Sequence, residues 1–295
     1  MNKIDTLLFS GGGIKCISLL GSLKSLITQE ILNEGFKGIS TIYYVSGSSI
    51  FTFPILIGLS IDATIEIFKN IDYSKMNIMN SLSLDSLFSN YGFQSVEEYY
   101  FIIEIILKKK GLSIDLTLED LYKINKINIY FKVINVTKNK IEYINHKNFP
   151  HLTLKKVISM TSCIPILFNP VEHNGSLYVD GGLISSFPYE KFKKKTMLGL
   201  NVITNNIHDC NSGKDNSFGD FGGYLEYILN LYGQNVIDLK DKYHIKILIE
   251  KSSSGFDFDA YKNELELLVK TGYDITHKYI NTVEHSHSNH HSMKD

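Results

Sequence analysis

The stretch Thr6-Leu7-Leu8-Phe9-Ser10-Gly11-Gly12-Gly13-Ile14-Lys15-Cys16 decides how the chain is read. A short run of β-favouring residues stops at three glycines, and apolar positions at helical spacing follow: Ile17, Leu20, Leu23 and Ile27. That pattern predicts strand, tight turn and helix. Glycines let the backbone adopt positive φ and let another group approach the main chain closely. The first turn of a helix presents unpaired N–H groups. The turn is therefore an anion cradle, and a phosphate, a dinucleotide or a reaction oxyanion would each satisfy its amides.

A second strand, Ile42-Tyr43-Tyr44-Val45-Ser46, runs into Gly47-Ser48-Ser49 and then a helix to about Leu59. Strand, Gly-x-Ser turn and helix make the geometry of a nucleophile elbow, which makes Ser49 the candidate nucleophile. The competing reading of Ser48 or Ser49 is a plain helix N-cap. A third strand end, Leu177-Tyr178-Val179 followed by Asp180-Gly181-Gly182, puts a carboxylate at the carboxyl edge of a sheet, where α/β folds build their sites.

Between these landmarks the pattern predicts helices over Asp62 to Asn70, Asn77 to Tyr91 and Ser95 to Lys110, then a strand at Asn128 to Thr137 with a hairpin partner at Lys140 to Asn145. The apolar residues of 72–92 suit either a lid facing lipid or an ordinary helical layer. A helix from Thr153 leads to Pro165 and Pro170, which force an extended path. Strands are expected at Met197 to Ile203 and His244 to Glu250, helices at Gly222 to Leu239 and Ala260 to Tyr279, and a surface loop at Asn205 to Asp220.

The 295 residues, 43% of them hydrophobic, carry a net charge of −1. That balance excludes a global field drawing the chain to nucleic acid or an acidic membrane, so lipid contact would be local or apolar. Every basic residue counted among Lys and Arg is lysine, so phosphate would be met by point charges without a bidentate fork. Three cysteines, Cys16, Cys163 and Cys210, lack CxxC spacing and fit a reduced, intracellular setting. No signal peptide and no membrane-spanning run is evident, which predicts a soluble or peripherally membrane-associated protein. The His/Ser-rich tail at 281–295 reads as disordered, and no metal site is expected.

Taken together, Gly11 to Cys16, Gly47 to Phe51 and Asp180 to Gly182 resemble the motifs of the patatin-like phospholipases, lipid acyl hydrolases, over about Asp5 to Pro188. Leu20-Gly21-Ser22-Leu23-Lys24, Thr117-Leu118-Glu119-Asp120-Leu121, Thr161-Ser162-Cys163-Ile164-Pro165 and Phe168-Asn169-Pro170-Val171 add to the likeness. The resemblance implies one α/β domain over 1–280, a three-layer sandwich with a mainly parallel central sheet flanked by helices. It implies a cofactor-free Ser-Asp dyad of Ser49 and Asp180 with no catalytic histidine. Gly11, Gly12 and Gly13 would form the oxyanion hole with Lys15 as its basic residue, supported by Gly47, Gly181 and Gly182. The implied substrates are fatty acyl esters of phospholipids or related lipids (phospholipase A type), and peripheral membrane contact is compatible with them.

Three residues depart from the family pattern: Cys16 and Phe51 stand where glycines are usual, and Ser186 where asparagine is usual. Phe51 is the most consequential, because a glycine there normally permits close packing of the elbow helix. It motivates an alternative, a degenerate family member that binds lipid or membrane without hydrolysis. A Ser-His-Asp arrangement using His208, His244 or His277 is a further alternative. A nucleotide-binding reading of the glycine turn lacks the acidic residue it needs at a following strand end.

Overall fold

A computed structural model describes residues 3–72, 83–193, 195–204, 243–249 and 258–291. Its strands are β1 (Thr6–Phe9), β2 (Thr41–Val45), β3 (Gly92–Gln94), β4 (Asn128–Asn135), β5 (Lys140–Ile144), β6 (Ile166–Phe168), β7 (Val171–His173), β8 (Ser176–Asp180), β9 (Met197–Thr204) and β10 (His244–Ile249). Its α-helices are α1 (Ser18–Thr28), α2 (Ser48–Leu56), α3 (Ile61–Asn70), α4 (Leu84–Asn90), α5 (Tyr100–Lys109), α6 (Leu118–Asn125), α7 (Leu154–Ser162) and α8 (Phe258–His291).

The main sheet runs β10-β9-β1-β2-β4-β8-β7, with β5 also paired to β4. The pairings from β10 through β4 are parallel, while β8, β7 and β5 enter antiparallel. The sheet is mixed, mostly parallel and flanked by helices, the α/β arrangement that the alternation of strands and helices implies. Strands buried on both faces read as near-continuous apolar runs, and β1 (Thr6, Leu7, Leu8, Phe9) is buried throughout.

An aromatic row fixes the register beneath the strand ends. Phe9 stacks on Tyr44 at 5.4 Å between ring centroids, and Tyr44 packs on Phe131 at 5.6 Å. Such pairs contribute roughly 0.5–1.5 kcal/mol each beyond their buried area. The residues that follow in the three strands, Ser10, Val45 and Lys132, therefore arrive level at one edge of the sheet.

Local signals start the helices where expected. Thr117 and Asp120 form a reciprocal capping box at α6, and the Ser60 and Thr153 hydroxyls accept backbone amides at α3 and α7. Each cap contributes about 1 kcal/mol. The short strands β6 and β7 fall in the extended path after Pro165.

One difference concerns the C-terminal tail. Helix α8 continues to His291, across residues whose composition predicts disorder. That stretch contains no glycine or proline, and extending a helix already nucleated costs little per residue. The expected loop at Asn205 to Asp220, the expected helix at Gly222 to Leu239, Cys210, His208 and residues 73–82 of the suggested lid lie outside the described residues.

Candidate active site

Strand β4 positions the site. Its residues 131–135 pair with β5, so β2 and β8 must share its other edge. On that edge Val45 of β2 lies opposite Lys132, and Asp180 of β8 lies opposite the next residue, Val133. Because β2 runs parallel to β4 and β8 antiparallel, their carboxyl ends meet head to head. Ser46, the first residue after β2, is delivered to Asp180, the last residue of β8.

The two side chains touch. Ser46 Oγ donates to Asp180 Oδ2 at 2.5 Å, and both residues are buried. Ser46 has φ of +55°, a left-handed conformation that costs a non-glycine residue roughly 1–2 kcal/mol. Such strain persists only where the surroundings over-determine it, and it clusters at functional sites. Here the Ser46 amide donates to Thr161 Oγ1 at 3.0 Å, and the Ser46 carbonyl accepts the Ser49 amide at 3.0 Å and the Ser49 hydroxyl at 2.8 Å.

The strained turn residue is thus Ser46, whereas the sequence reading put the nucleophile at Ser49. Ser49 lies in the first turn of α2, with its hydroxyl committed to the Ser46 carbonyl. This corrects the expected pairing of Ser49 with Asp180. The serine that meets Asp180 directly follows the strand, and the positions that flank it by two residues are Tyr44 and Ser48. Phe51 is not part of the turn. Its ring packs on Phe68 of α3 at 4.8 Å between centroids.

The glycine loop lies directly against this elbow. A Cβ on Gly11 would come 3.0 Å from Ser46 Cβ, and a Cβ on Gly47 would overlap the Gly13 carbonyl oxygen. Gly13 has φ of +56°, a region glycine occupies without steric cost. The Gly11 amide is committed, donating to the Ser186 carbonyl at 2.7 Å. Among the described residues, the Gly12 and Gly13 amides have no hydrogen-bond acceptor. They open the 3₁₀ turn Gly13–Ile17, where N–H groups lack intrahelical partners.

Asp180 is held from three sides. Its amide donates to the Cys163 carbonyl at 3.0 Å, Oδ1 accepts the Gly182 amide at 2.6 Å, and Oδ2 accepts Ser46. Burial raises its pKa to about 6, against the lowering pull of the Ser46 and Gly182 hydrogen bonds and the Lys132 charge. Desolvation dominates because the charged form loses more water than these contacts replace.

Gly181 packs so closely that a Cβ would overlap the Lys132 carbonyl oxygen. Ser186 supplies its main-chain carbonyl to the glycine loop, a role indifferent to the side chain there. Lys15, expected as the basic residue of the glycine motif, is buried in the 3₁₀ turn. Lys132, buried at the strand position opposite Val45, is not singled out by the motifs. Its signal was a charged residue inside the apolar run Phe131-Lys132-Val133.

Other chemistry falls away from Ser46. Burial pushes the Cys163 thiol up to about 12 and the Cys16 thiol higher still, which leaves both un-ionised at neutral pH. His244 is enclosed by the rings of Phe187, Tyr189 and Phe192, and His277 stacks on Tyr273. Among the described residues, no three His, Cys, Asp or Glu side chains are grouped to hold a metal ion. Among them, too, no helix is long and apolar enough to cross a membrane.

Comparison with known proteins identifies the family. Residues 7–193 match the patatin-like phospholipase family, and the chain belongs to that family, whose chemistry is lipid hydrolysis. It is 30% identical over 191 residues to a protein of invertebrate iridescent virus 6 named probable lipid hydrolase 463L, across 63% of this chain and 62% of that one. The match therefore spans less than two thirds of that relative. A protein of Acanthamoeba polyphaga mimivirus with no characterised role is 23% identical over 293 residues, 96% of each chain. The solved structure of VipD from Legionella pneumophila shares the fold, with a TM-score of 0.58 over 95% of this chain and 67% of that one at 17% identity.

Proposed function

We propose that the protein is a serine lipid acyl hydrolase of phospholipase A type, with Ser46 as nucleophile and Asp180 as base. The observation that carries this reading is the 2.5 Å hydrogen bond from Ser46 Oγ to Asp180 Oδ2, made by a serine held in a left-handed turn. A nucleophile within hydrogen-bond reach of a base, itself oriented by a further group, is the general signature of covalent catalysis. Here the Gly182 amide orients the base.

In the proposed reaction Asp180 takes the Ser46 proton as Oγ adds to the acyl carbonyl carbon. The oxyanion of the tetrahedral intermediate is stabilised by the Gly12 and Gly13 amides. A donor of this kind contributes roughly 3 kcal/mol to the transition state. Collapse breaks the bond to the alcohol, which leaves with the proton held by Asp180. Water then gives a proton to Asp180 and adds to the acyl-serine, and release of the fatty acid returns the proton to Ser46. A carboxylate is a weak base for an alcohol, and a pKa near 6 brings Asp180 closer to the working range.

Exposed apolar side chains suit an aggregated lipid substrate. Leu84, Phe88 and Tyr91 are exposed on and just after α4, and Ile184 is exposed beyond Asp180-Gly181-Gly182. The non-hydrolytic alternative rested on Phe51, which packs outside the elbow turn.

The test is covalent labelling by a fluorophosphonate probe together with release of fatty acid from phosphatidylcholine vesicles. Wild type should do both, and Ser46→Ala neither. Unlabelled wild-type protein that leaves the vesicles intact would remove this reading in favour of lipid binding alone.

A further inference from the structure

Lys132 is a charged side chain with no exposed surface, at the strand position opposite Val45 and next to the one opposite Asp180. Burying a cation is costly unless it is paired. Its Nζ donates to the Ser185 carbonyl at 3.0 Å and lies 3.7 Å from Glu190 Oε1. The carbonyl of the next residue, Ser186, holds the Gly11 amide. At the other end of the residue, the Lys132 carbonyl accepts the Thr161 hydroxyl at 2.7 Å, and that hydroxyl's oxygen accepts the Ser46 amide. One residue thus reaches the elbow through its main chain and, through its ammonium, the segment that joins Asp180 to the glycine loop.

We propose that Lys132 is a positioning residue for the reaction: its ammonium clamps the 181–186 segment so that Asp180 and the oxyanion amides hold their geometry together. This rests on the assignment of Ser46 and Asp180 given above. The direction of the charge effect is fixed, because the Lys132 cation lowers the Asp180 pKa that burial raises. Burial also lowers the pKa of Lys132 itself, opposed by Glu190 and Asp180. Other groups among the described residues act on the pair. Glu190 accepts the Tyr143 hydroxyl and feels Lys191, and the un-ionised thiols of Cys16 and Cys163 lie near Asp180. None of these thiols supplies a replacement cation.

The experiment compares Lys132→Met, Lys132→Gln, Ser46→Ala and wild type, reading cooperative unfolding and the pH profile of kcat and kcat/KM on a fluorogenic acyl ester. Methionine nearly preserves the volume and removes the charge, and such replacements of buried ions are often tolerated by the fold. Lys132→Met should lose about tenfold or more in kcat with KM little changed, and its acidic limb should move up by about half a pH unit or more. Lys132→Gln keeps an amide donor for Ser185. It should show the same limb movement with a smaller loss of plateau kcat.

Folded variants with the wild-type profile would overturn the proposal. So would an equal loss at every pH without movement of the limb, which marks a merely structural lysine. Failure of both variants to fold would likewise place the role in stability and refute it. Turnover retained by Ser46→Ala would instead remove the dyad assignment itself, so the two failures are distinguishable.

Discussion

Val45 and Asp180 occupy successive positions along one edge of β4, opposite Lys132 and Val133 respectively. The strands that carry them approach from opposite directions, so the residue after Val45 meets the carboxylate of Asp180. The pairing of Ser46 with Asp180 is therefore a product of sheet register, fixed by the buried row Phe9, Tyr44 and Phe131 one step below. A one-residue slip in either strand would turn a side chain to the opposite face.

Ser46→Ala is expected to lower kcat for a fluorogenic acyl ester by about 10³-fold or more, the scale seen when a nucleophile is removed. Ser49→Ala should retain at least about a tenth of wild-type turnover, since its hydroxyl only reinforces the Ser46 carbonyl already bonded to the Ser49 amide. Steady-state kinetics and probe labelling of the two variants check this, and the reverse pattern would return the nucleophile to Ser49.

Asp180, with a pKa raised to about 6, must be ionised to accept a proton. Then kcat/KM should rise with pH and reach half its plateau near 6. Stability moves the other way. The folded pKa lies above the unfolded value of about 3.9, so the native state binds more protons between about pH 4 and 6 and loses stability as pH rises through that window. In urea titrations, Asp180→Asn should gain on wild type across that window and differ by a constant amount outside it.

Gly47→Ala tests the contact between the elbow and the Gly11–Gly13 loop. The added Cβ would overlap the Gly13 carbonyl oxygen, and backbone on both sides leaves no flexible side chain to yield. Overpacking of this kind costs roughly 1–3 kcal/mol. Displacing the loop should also cost about 10²-fold or more in kcat. Chemical denaturation and kinetics on the same preparation report both.

Much of this was legible in the chain because glycine and aspartate at strand ends have few structural uses. The Gly11 to Gly13 turn, Asp180-Gly181-Gly182 and the parallel β1, β2 and β4 follow from apolar runs broken by glycine. The pairing of Ser46 with Asp180 was not legible in the same way. Ser46-Gly47-Ser48-Ser49 offers three serines around one glycine, and the pattern assigns the sharp turn to the glycine. In the structure Gly47 has ordinary helical φ of −54°, and the positive φ falls on Ser46. Gly47 is needed for its missing Cβ, a tertiary requirement set by Gly13 that no local propensity encodes. The contact of Lys132 is equally tertiary, since the carbonyl it binds is 53 residues away.

Helices α1 and α8 pack backbone to backbone through Gly21 and Gly272. A Cβ on Gly21 would overlap the Val269 carbonyl, and one on Gly272 the Ser18 carbonyl. Ser22 seals the crossing by donating to the Gly272 carbonyl at 3.1 Å. Gly21→Ala and Gly272→Ala should each lower Tm through a loss of roughly 1–3 kcal/mol. Protein that remains folded should label with the probe at the wild-type rate, because neither glycine touches the elbow. A loss of labelling without a loss of Tm would show the crossing to be coupled to the site.

Phe51 separates packing from catalysis most cleanly. Its ring is buried against Phe68, which itself has no exposed surface, and its amide donates to the Gly47 carbonyl at 3.3 Å whatever the side chain. Phe51→Ala should open a cavity between α2 and α3 and cost roughly 3–5 kcal/mol, seen as a fall in the denaturant midpoint. Below the new unfolding temperature, kcat should stay within a few-fold of wild type, because the Ser46–Asp180 hydrogen bond rests on β4 register and Thr161. Phe51→Leu should recover part of the stability at the same kcat. Loss of kcat in folded Phe51→Ala, restored by Phe51→Leu, would show that the elbow depends on this ring.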